Sequence, residues 1–282
     1  MDGVLAGPDG GSGGLGRVVG RMASLDRAHW PALRTHFVPD RPGPLFGLHA
    51  IHSGCGACWV DRWPGARTGV VFTGGNLTCW GDPDALSEPD LADIVHPLLS
   101  DWDRVFIEVR PEFEARVRRA LPGLLVWPRE IFVHEREGGM PSPAGAEVRR
   151  LVRSDTAAVR DLEEGVQWIS DTYGGAADLA QTATAWGAFV GGRLVSVAVP
   201  YFVGDRHEDI GVVTEAAFRG RGLSPACAAR VMADIRGRRR TPSWSTSRDN
   251  TASRRVAEKL GFVKHRDDVL YIAGKPLPGL VA

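Results

Sequence analysis

The sequence predicts an α/β (or α+β) protein, with a mixed and mostly antiparallel sheet in its C-terminal half and a smaller α/β domain before it. Three observations support this prediction. Short β-branched runs alternate with amphipathic helical segments, glycine-rich turns separate them, and one strand leads through such a turn directly into a helix. The 282 residues suffice for two domains, and 43% hydrophobic with 24% charged residues is ordinary for a globular protein.

Composition argues against several classes of function. The formal net charge is zero, so no global basic field points to nucleic-acid binding. No apolar run reaches membrane-spanning length and the N-terminus lacks the pattern of a secretion signal, so we expect a cytoplasmic protein without a membrane partner. The four cysteines are too few for a disulfide framework in a chain of this length.

Pattern and composition divide the chain into four regions. Residues 1–18 are rich in glycine and carry hardly any bulky side chain, so we expect them to be disordered. Residues 19–137 form the predicted N-terminal α/β domain. Residues 138–146, rich in glycine and proline, form the predicted linker, and residues 147–282 form the second domain.

In the N-terminal domain, turn residues separate short apolar runs. Asp26 is a suitable helix cap, Pro111 suits the first turn of a helix, and residues 39–44 read as a loop. Turns are predicted at residues 63–65 and 73–76. The predicted helices are 27–35, 88–99 and 111–121, and the predicted strands are 57–61, 68–72, 77–80, 104–109, 124–127 and 131–135.

The second domain opens with a predicted strand at residues 148–152, after which Ser154 or Asp155 caps a helix that runs to Leu162. A glycine pair at 191–192 supplies the positive φ of a hairpin turn. Further on, the predicted strands are 185–190, 194–203, 208–214, 243–247 and 262–271, and helices are predicted at 178–184, from about 224, and from about 250 to 260.

The stretch from Glu208 to Gly222 is the centre of the functional prediction. It begins as a β-branched strand and closes on Arg219-Gly220-Arg221-Gly222, directly before a helical pattern. The backbone N–H groups of a first helical turn have no internal partner and the helix dipole adds partial positive charge, so such a turn binds anions. The glycines let a ligand approach the backbone, and the arginines suit phosphate oxygens. An ordinary strand-to-helix turn is the alternative.

This order of elements resembles the GCN5-related N-acetyltransferase (GNAT) superfamily over about residues 155–271. The pyrophosphate signature of that family, (R/Q)-x-x-G-x-(G/A), is similar to the sequence from Arg219 to Gly222 in a shifted R-G-x-G form. A second signature, an asparagine before a helix that ends in L-G-F, is similar to Asn250 and Leu260-Gly261-Phe262. The run PSWSTSRDNTASRRVAEKLGF looks most like the antibiotic-resistance-type and glycine-acyltransferase-like branches.

The N-terminal half carries a weaker resemblance. Residues 59–64 look like the N-terminal part of glycine-acyltransferase-like enzymes, which implies a degenerate GNAT-like domain packed against the catalytic one. This half has no R-G-x-G sequence of its own, and an unrelated α/β cap is the alternative.

The resemblance implies an acyl-CoA-dependent N-acyltransferase, with acetyl-CoA as the expected co-substrate. The acceptor would be a small-molecule amine: an amino acid, an amino sugar or an aminated natural product. The amine would attack directly in a ternary complex. A longer acyl donor and a non-catalytic acyl-CoA sensor are the alternatives, and a homodimer is one option for assembly. The residues implied in coenzyme A binding are Val212, Val213, Thr214, Phe218, Arg219, Gly220, Arg221, Gly222, Leu223, Ser224, Asn250 and Ser253.

Acyl transfer to an amine also needs a general base and a proton donor for the leaving thiolate. Glu208 is the first candidate for the base and Asp209 the second, because relatives with a strand glutamate place it near this point; a solvated pair at the strand entrance is the alternative. Many relatives place a tyrosine seven residues after the motif asparagine, where this chain has Ala257. Ser253 is the substitute candidate for the acid, and plain polarity of the helix surface is its alternative.

The acceptor and metal predictions are weaker. Trp168 and Tyr173 lie in a glycine-flanked segment between helices, where the family builds its acceptor site, so we predict that they bind substrate; a core position is the alternative. No metal site is predicted, because only Cys55 and Cys58 have a metal-like spacing and Cys58 falls inside a predicted strand.

Overall fold

The computed structural model describes residues 15–136, 139, 141 and 143–277. The strands of this part of the chain are β1 (Leu15–Val19), β2 (Met22–Leu25), β3 (Ala57–Val60), β4 (Thr68–Thr73), β5 (Asn76–Gly81), β6 (Arg104–Glu108), β7 (Leu125–His134), β8 (Glu147–Arg150), β9 (Trp186–Val190), β10 (Arg193–Val203), β11 (His207–Thr214), β12 (Thr241–Ser247) and β13 (Phe262–Gly274). The α-helices are α1 (Phe46–Ser53), α2 (Glu88–Asp101), α3 (Glu114–Ala120), α4 (Thr156–Arg160), α5 (Ala176–Gln181), α6 (Leu223–Gly237) and α7 (Thr251–Lys259). Short 3₁₀ helices lie at Arg27–His36, Pro83–Ala85, Pro111–Phe113, Arg153–Asp155, Glu164–Tyr173 and Ala216–Phe218.

These thirteen strands form one sheet in the order β1-β2-β3-β4-β5-β6-β13-β7-β12-β11-β10-β9-β8. The two central strands are exchanged between the halves of the chain. β13, from the C-terminal half, pairs with β6, and β7, from the N-terminal half, pairs with β12. β7 and β13 also pair with each other over most of their length. The exchange therefore joins both halves into one continuous sheet.

Each half repeats one local arrangement. β5 is parallel to β6 and β11 is parallel to β12, while the other strand pairs are antiparallel, so the predicted mixed and mostly antiparallel sheet is confirmed. In each parallel pair only three residues are in register: 76–78 with 106–108, and 207–209 with 241–243. A 3₁₀ turn and then α2 or α6 follow the first strand of each pair. This repeat supports our proposal that the two halves are related.

Helices cover both faces of the sheet. On the second half, α6 and α7 pack on one face, around Cys227, Met232, Trp244 and Phe262. The 3₁₀ segment Glu164–Tyr173 packs with α4 and α5 on the other face, around Leu162, Ile169, Leu179 and Val197. A smaller apolar cluster joins the two halves and consists of Leu45, Phe46, Phe202 and Leu270.

A buried histidine also joins the halves. His49, on α1, has no exposed surface. Its Nδ1 accepts a hydrogen bond of 3.1 Å from the backbone N–H of Val203, and its Nε2 therefore donates one of 2.8 Å to the carbonyl of Thr172. Burial is the main reason that the pKa of His49 falls to about 4, so the ring is neutral at physiological pH.

The structure corrects several predicted elements. Residues 15–18, predicted to be disordered, belong to β1, while residues 1–14 lie outside the described part of the chain. The two strands predicted at 124–127 and 131–135 are one strand, β7. The polar run Pro128-Arg129-Glu130 indicated a break, yet Glu130 is buried and pairs with Lys264 and Arg254. Helix α1 was not predicted.

The predicted domain boundary is only partly described, because residues 137, 138, 140 and 142 of that region lie outside the described chain. The exchange of β7 and β13 places strands from both sides of this boundary next to each other. Among the described residues, no helix combines the length and the apolar character that crossing a bilayer would require.

Candidate active site

A cavity of about 1230 Å³ lies where β11 and β12 part, and both halves of the chain line it. Its walls include the β4–β5 turn, β6, β7 and β13 on one side, and β11, β12 and the first turns of α6 and α7 on the other. The predicted coenzyme A residues line this cavity, with the exception of Arg221. We therefore treat the cavity as the candidate active site.

The N-terminus of α6 opens onto this cavity. Gly222 occupies the N-cap position, and both Gly220 and Gly222 have a φ of +76°, which residues with a Cβ rarely adopt. A Cβ built on either glycine would meet nothing within 4 Å. Packing therefore does not require glycine at these positions, whereas the positive φ does. The first N–H groups of α6 have no side-chain cap, which leaves an anion site.

The two arginines of the motif differ in position. Arg219 lines the cavity, and its Nε donates a hydrogen bond of 3.2 Å to the carbonyl of Thr214. This bond holds its guanidinium beside the end of β11. Arg221 lies outside the lining, with its guanidinium 5.4 Å from the centre of the Phe218 ring. The structure therefore brings Arg219, but not Arg221, to the cavity wall.

A chain of three hydroxyls fixes the start of α6 against the sheet. Ser196 donates to the carbonyl of Val213 at 2.6 Å, so its oxygen accepts from Thr214 at 2.7 Å. Thr214 in turn accepts from Ser224 at 2.7 Å. These bonds set the distance between β11 and the first turn of α6, which are the two elements that an extended ligand in the cavity would contact.

The parting of β11 and β12 exposes the backbone of β11. Their parallel pairing ends at Asp209 and Ser243. The following residues of β11 pair only with β10, so their polar groups on the other edge have no partner strand. These groups, from residues 211–214, face the cavity and can hydrogen-bond an extended chain or donate to a developing oxyanion.

Helix α7 forms the other wall of the anion site. Asn250 caps it, since its side-chain oxygen accepts from the backbone N–H of Ser253 at 3.0 Å. Ser253 lines the cavity, and its hydroxyl oxygen accepts from Nε1 of Trp244 at 2.9 Å, which leaves the hydroxyl proton for another acceptor. Ala257 is fully buried. The sequence prediction missed Arg255 and Lys259, a basic pair at helical spacing that also lines the cavity.

The two candidate bases lie on opposite faces of β11. Glu208 faces α6 together with Ile210 and is only 1% exposed. Its carboxylate pairs with Arg238 at 2.6 Å and with Arg240 at 2.8 Å, and it does not line the cavity. The two-residue period of a strand puts Glu208 and Asp209 on opposite faces, and the face that carries Glu208 is the helix-covered one. Its position therefore does not suit the role of a base in this cavity.

Asp209 lines the cavity and is 4% exposed. Its Oδ1 accepts hydrogen bonds from Ser243 at 2.8 Å and from Ser245 at 3.0 Å. Burial raises the pKa of Asp209 to about 6, although these two hydroxyls and the nearby Arg129 and Arg266 act in the opposite direction. A carboxylate with such a pKa can accept a proton near neutral pH.

A second carboxylate in the cavity was not predicted. Asp171 is half-buried, and burial raises its pKa to about 7. It lies at the end of the 3₁₀ segment, where the turn at Gly74 packs against it: a Cβ on Gly74 would be 2.7 Å from the Asp171 carbonyl carbon. No sequence pattern singles Asp171 out, because its burial depends on this contact with the other half.

The predicted acceptor residues have different positions. Trp168 lines the cavity and packs edge-to-face on Tyr201, with the ring centres 5.2 Å apart. Tyr173 lies outside the lining and is buried, with its ring against His49 and its hydroxyl donating to the carbonyl of Pro200. Tyr173 thus holds the contact between the halves, and the structure does not place it beside an acceptor.

The cysteines in question are free thiols: Cys55 is half-buried and Cys58 is buried. Cys58 and Cys79 are buried, and burial raises the pKa of each thiol to about 12. Within the described residues, no group of three or more histidine, cysteine or acidic side chains is placed to hold a metal ion.

Comparison with known proteins identifies the family of this chain. Residues 45–271 match the GNAT acetyltransferase family. A protein of Streptomyces virginiae, described as an uncharacterized N-acetyltransferase in the mutA 5′ region, is 31% identical over 220 residues, which cover 77% of this chain and 90% of that protein.

Solved structures share the fold. A GCN5-related N-acetyltransferase-like protein from Streptococcus suis superposes with a TM-score of 0.65 at 18% identity, over 87% of this chain and 98% of that one. A tandem GNAT protein from the clavulanic acid biosynthesis pathway gives 0.57 at 15% identity, over 89% and 97%. At these identities the likeness shows the fold alone. Taken with the family match, the chain is an N-acetyltransferase that belongs to the GNAT acetyltransferase family.

Proposed function

We propose that this protein transfers an acetyl group from acetyl-CoA to the primary amine of a small molecule, by direct attack in a ternary complex. The observation that carries the proposal is the uncapped N-terminus of α6, whose two positive-φ glycines open onto the cavity at the point where β11 leaves β12. A cytoplasmic location, where acetyl-CoA is available, is part of the proposal.

The chain supplies a place for each part of the co-substrate. The N–H groups of residues 220–224 and the guanidinium of Arg219 would bind the diphosphate. Arg255 and Lys259 would add charge for further phosphate groups. The unpaired edge of residues 211–214 would bind the amide-bearing arm of coenzyme A and polarise the thioester carbonyl. The bound thioester supplies the electrophilic carbon.

Asp209 would take a proton from the acceptor ammonium, directly or through a water molecule. The neutral amine then attacks the thioester carbonyl, and the C–S bond breaks once the C–N bond has formed. The proton that the nitrogen loses in this step replaces the one that the leaving thiolate takes up. Ser253 is our candidate donor of the proton that the leaving thiolate needs, because its hydroxyl proton is not used in its bond with Trp244. Glu208 and Tyr173 have no role in this proposal.

Calorimetry with coenzyme A and the variants Arg219→Ala and Arg221→Ala tests the binding site. Arg219→Ala should weaken binding about tenfold or more, since a charge-assisted hydrogen bond contributes roughly 1.5–3 kcal/mol. Arg221→Ala is the matched comparison and should change the dissociation constant less than about threefold, because this guanidinium lies outside the cavity lining. Equal effects of the two variants would contradict the proposed site.

Thiol release tests turnover. With acetyl-CoA and a panel of primary amines, an enzyme releases coenzyme A in proportion to one or more acceptors, whereas a sensor binds coenzyme A and releases none. Butyryl-CoA and palmitoyl-CoA in the same assay test the alternative of a longer donor. A higher kcat/KM for either of them would overturn the choice of acetyl-CoA but leave the acyltransferase intact.

A further inference from the structure

Arg129, on β7, is a cavity residue that the proposed mechanism does not use. Its guanidinium carbon lies 4.1 Å from the centre of the Trp127 ring, so the indole supports the flat face of the cation. Within the described part of the chain, its Nε is buried without a hydrogen-bond partner and the side chain forms no ion pair. The residue as a whole is half-buried and borders the cavity, so an anion in the cavity would satisfy donors of its guanidinium.

Two acidic side chains lie near Arg129, and neither forms an ion pair with it. Asp268 lies directly opposite it on β13, but the nearer cation is Arg266, at 3.7 Å. Asp209 accepts from two serine hydroxyls. Burial lowers the pKa of Arg129 to about 10, and the charges of Asp209 and Asp268 oppose this shift only in part. Arg129 therefore keeps its capacity for a bidentate bond with an anionic group.

Arg129 and Asp209 lie on the same face of the sheet. Asp209 bonds Ser245, which is paired with Ile131 across β12 and β7 and thus points to the same side. Arg129 is two residues from Ile131, so it shares that side, and all four residues line the cavity. Each of these two charges also acts on the pKa of the other across the cavity. A molecule with its amine at Asp209 can therefore place a second group at Arg129.

Building on the proposed function, we infer that the acceptor is an amino acid, whose amine faces Asp209 and whose carboxylate binds the guanidinium of Arg129 on its Trp127 support. The planar guanidinium matches the two oxygens of a carboxylate. The binding group comes from β7, a strand of the N-terminal half, whereas Asp209 and the coenzyme A site come from the C-terminal half. Exchange of the central strands thus brings acceptor recognition to the catalytic cavity.

The experiment measures kcat/KM for acetylation of the standard amino acids, together with the carboxamides and the decarboxylated amines of alanine, leucine and phenylalanine. For the wild-type protein, kcat/KM for at least one amino acid should exceed kcat/KM for its carboxamide by about 50-fold. Arg129→Met should reduce this ratio to near one, and Arg129→Lys, which keeps the charge but not the bidentate geometry, should keep part of it. Comparing ratios between proteins cancels the different pKa values of the acceptor amines.

Arg104 provides a second comparison, because its Nε is also buried without a partner and it also lines the cavity, at the start of β6. Arg104→Met should keep the preference for the carboxylate. Three results would overturn the inference. The preference for the carboxylate could be lost in Arg104→Met, the ratio of kcat/KM between amino acid and carboxamide could be unchanged in Arg129→Met, or the wild-type protein could prefer carboxamides. So would loss in Arg129→Met of activity with succinyl-CoA alone, since the carboxylate would then belong to the acyl group.

The melting temperature and the coenzyme A dissociation constant of each variant serve as folding controls. Calorimetric titration of the same amino acids into wild-type and Arg129→Met protein needs no turnover and separates the two proposals. If no amine releases thiol, the proposed function fails, yet amino-acid binding that is lost in Arg129→Met would still support the carboxylate site. If coenzyme A binds and turns over while no amino acid binds or reacts, only the carboxylate site fails.

Discussion

The two halves of the molecule build the same strand, 3₁₀ turn and helix, but they finish the helix N-terminus differently. In the first half, Ser87 caps α2 and its hydroxyl accepts from the backbone N–H of Asp90. The carboxylate of Asp90 lies in that first turn and accepts from the backbone N–H of Arg21 at 2.8 Å. In the second half, Gly222 caps α6 without a side chain and the first turn contains no acidic residue.

If α6 binds the diphosphate as we propose, one topology serves an anion in one half and not in the other. The first turn of α2 already holds the carboxylates of Glu88 and Asp90, which would repel an anion, and Ser87 accepts from one of its N–H groups. The α6 turn leaves the same groups to a ligand. For this proposed anion site, the lack of acidic side chains and of a side-chain cap in the first turn of α6 is as important as the two glycines.

The parallel strand pairs differ in a similar way. At the last residue in register, the first half has Thr78 opposite Glu108, and the second half has Asp209 opposite Ser243. Carboxylate and hydroxyl have thus changed places between the two strands. Burial raises the pKa of both Glu108 and Asp209, but only Asp209 lines the cavity. The comparison therefore predicts one functional carboxylate and one structural carboxylate.

Among the variants that compare the two halves, Asp209→Asn should have the largest effect on activity. Loss of the base should lower kcat/KM about 1000-fold, within the usual range for general-base catalysis. The wild-type kcat/KM should fall as pH decreases below about 6, because protonated Asp209 cannot accept a proton, and this limb should be absent in the variant. Glu108→Gln is the matched comparison, with less than about a threefold change in steady-state thiol release. Similar losses in both variants would contradict the assignment.

His49 tests how strongly the halves depend on each other. Its pKa is about 4 in the folded protein and near 6.5 when unfolded, so the unfolded chain binds more protons between these values. The free energy of unfolding should therefore decrease as pH falls from 6.5 to 4, by roughly 3 kcal/mol from this residue. Urea unfolding at a series of pH values measures the decrease.

His49→Gln is the companion variant, since glutamine can also donate and accept a hydrogen bond but does not titrate. Its unfolding free energy should depend less on pH over that interval than the wild-type value does. Equal pH dependence of the two proteins would show that His49 is not the titrating group, whatever the loss of stability at neutral pH.

An acidic residue in the first turn of α6, like the one in α2, should weaken coenzyme A binding. Ser224→Asp places a negative charge in the first turn of α6, where it would repel the diphosphate and occupy the free N–H groups. The dissociation constant from calorimetry should rise about 30-fold. Ser224→Asn removes the same hydroxyl bond to Thr214 without adding charge, and should raise the dissociation constant less than about fivefold. If both variants bind equally, the charge of the turn is not the cause.

The turns and helix caps of the candidate site could be predicted from the sequence, while the contacts between distant parts of the chain could not. The glycine-arginine turn predicted the open α6 terminus. Asp249 or Asn250 was expected to cap α7, and Asn250 does so. Alternation along β11 placed Glu208 and Asp209 on opposite faces, but it could not tell which face meets the cavity. That depends on the exchange of β7 and β13, whose pairing joins residues more than 100 positions apart. Arg129 reaches the cavity on β7 through this exchange, and Asp171 lies there through its contact with the turn at Gly74.

The smallest expected effect comes from neutralising an acidic side chain in the first turn of α2. Asp90→Asn removes the negative charge that α2 keeps in its own first turn, and should lower the free energy of unfolding by about 1 kcal/mol, since the neutral amide still accepts from Arg21. Coenzyme A should bind with unchanged affinity and unchanged stoichiometry, because Glu88 stays in the first turn of α2 and Ser87 still caps it, whereas glycine caps α6. A second binding event in calorimetry would show instead that the carboxylate alone keeps the first half from binding coenzyme A.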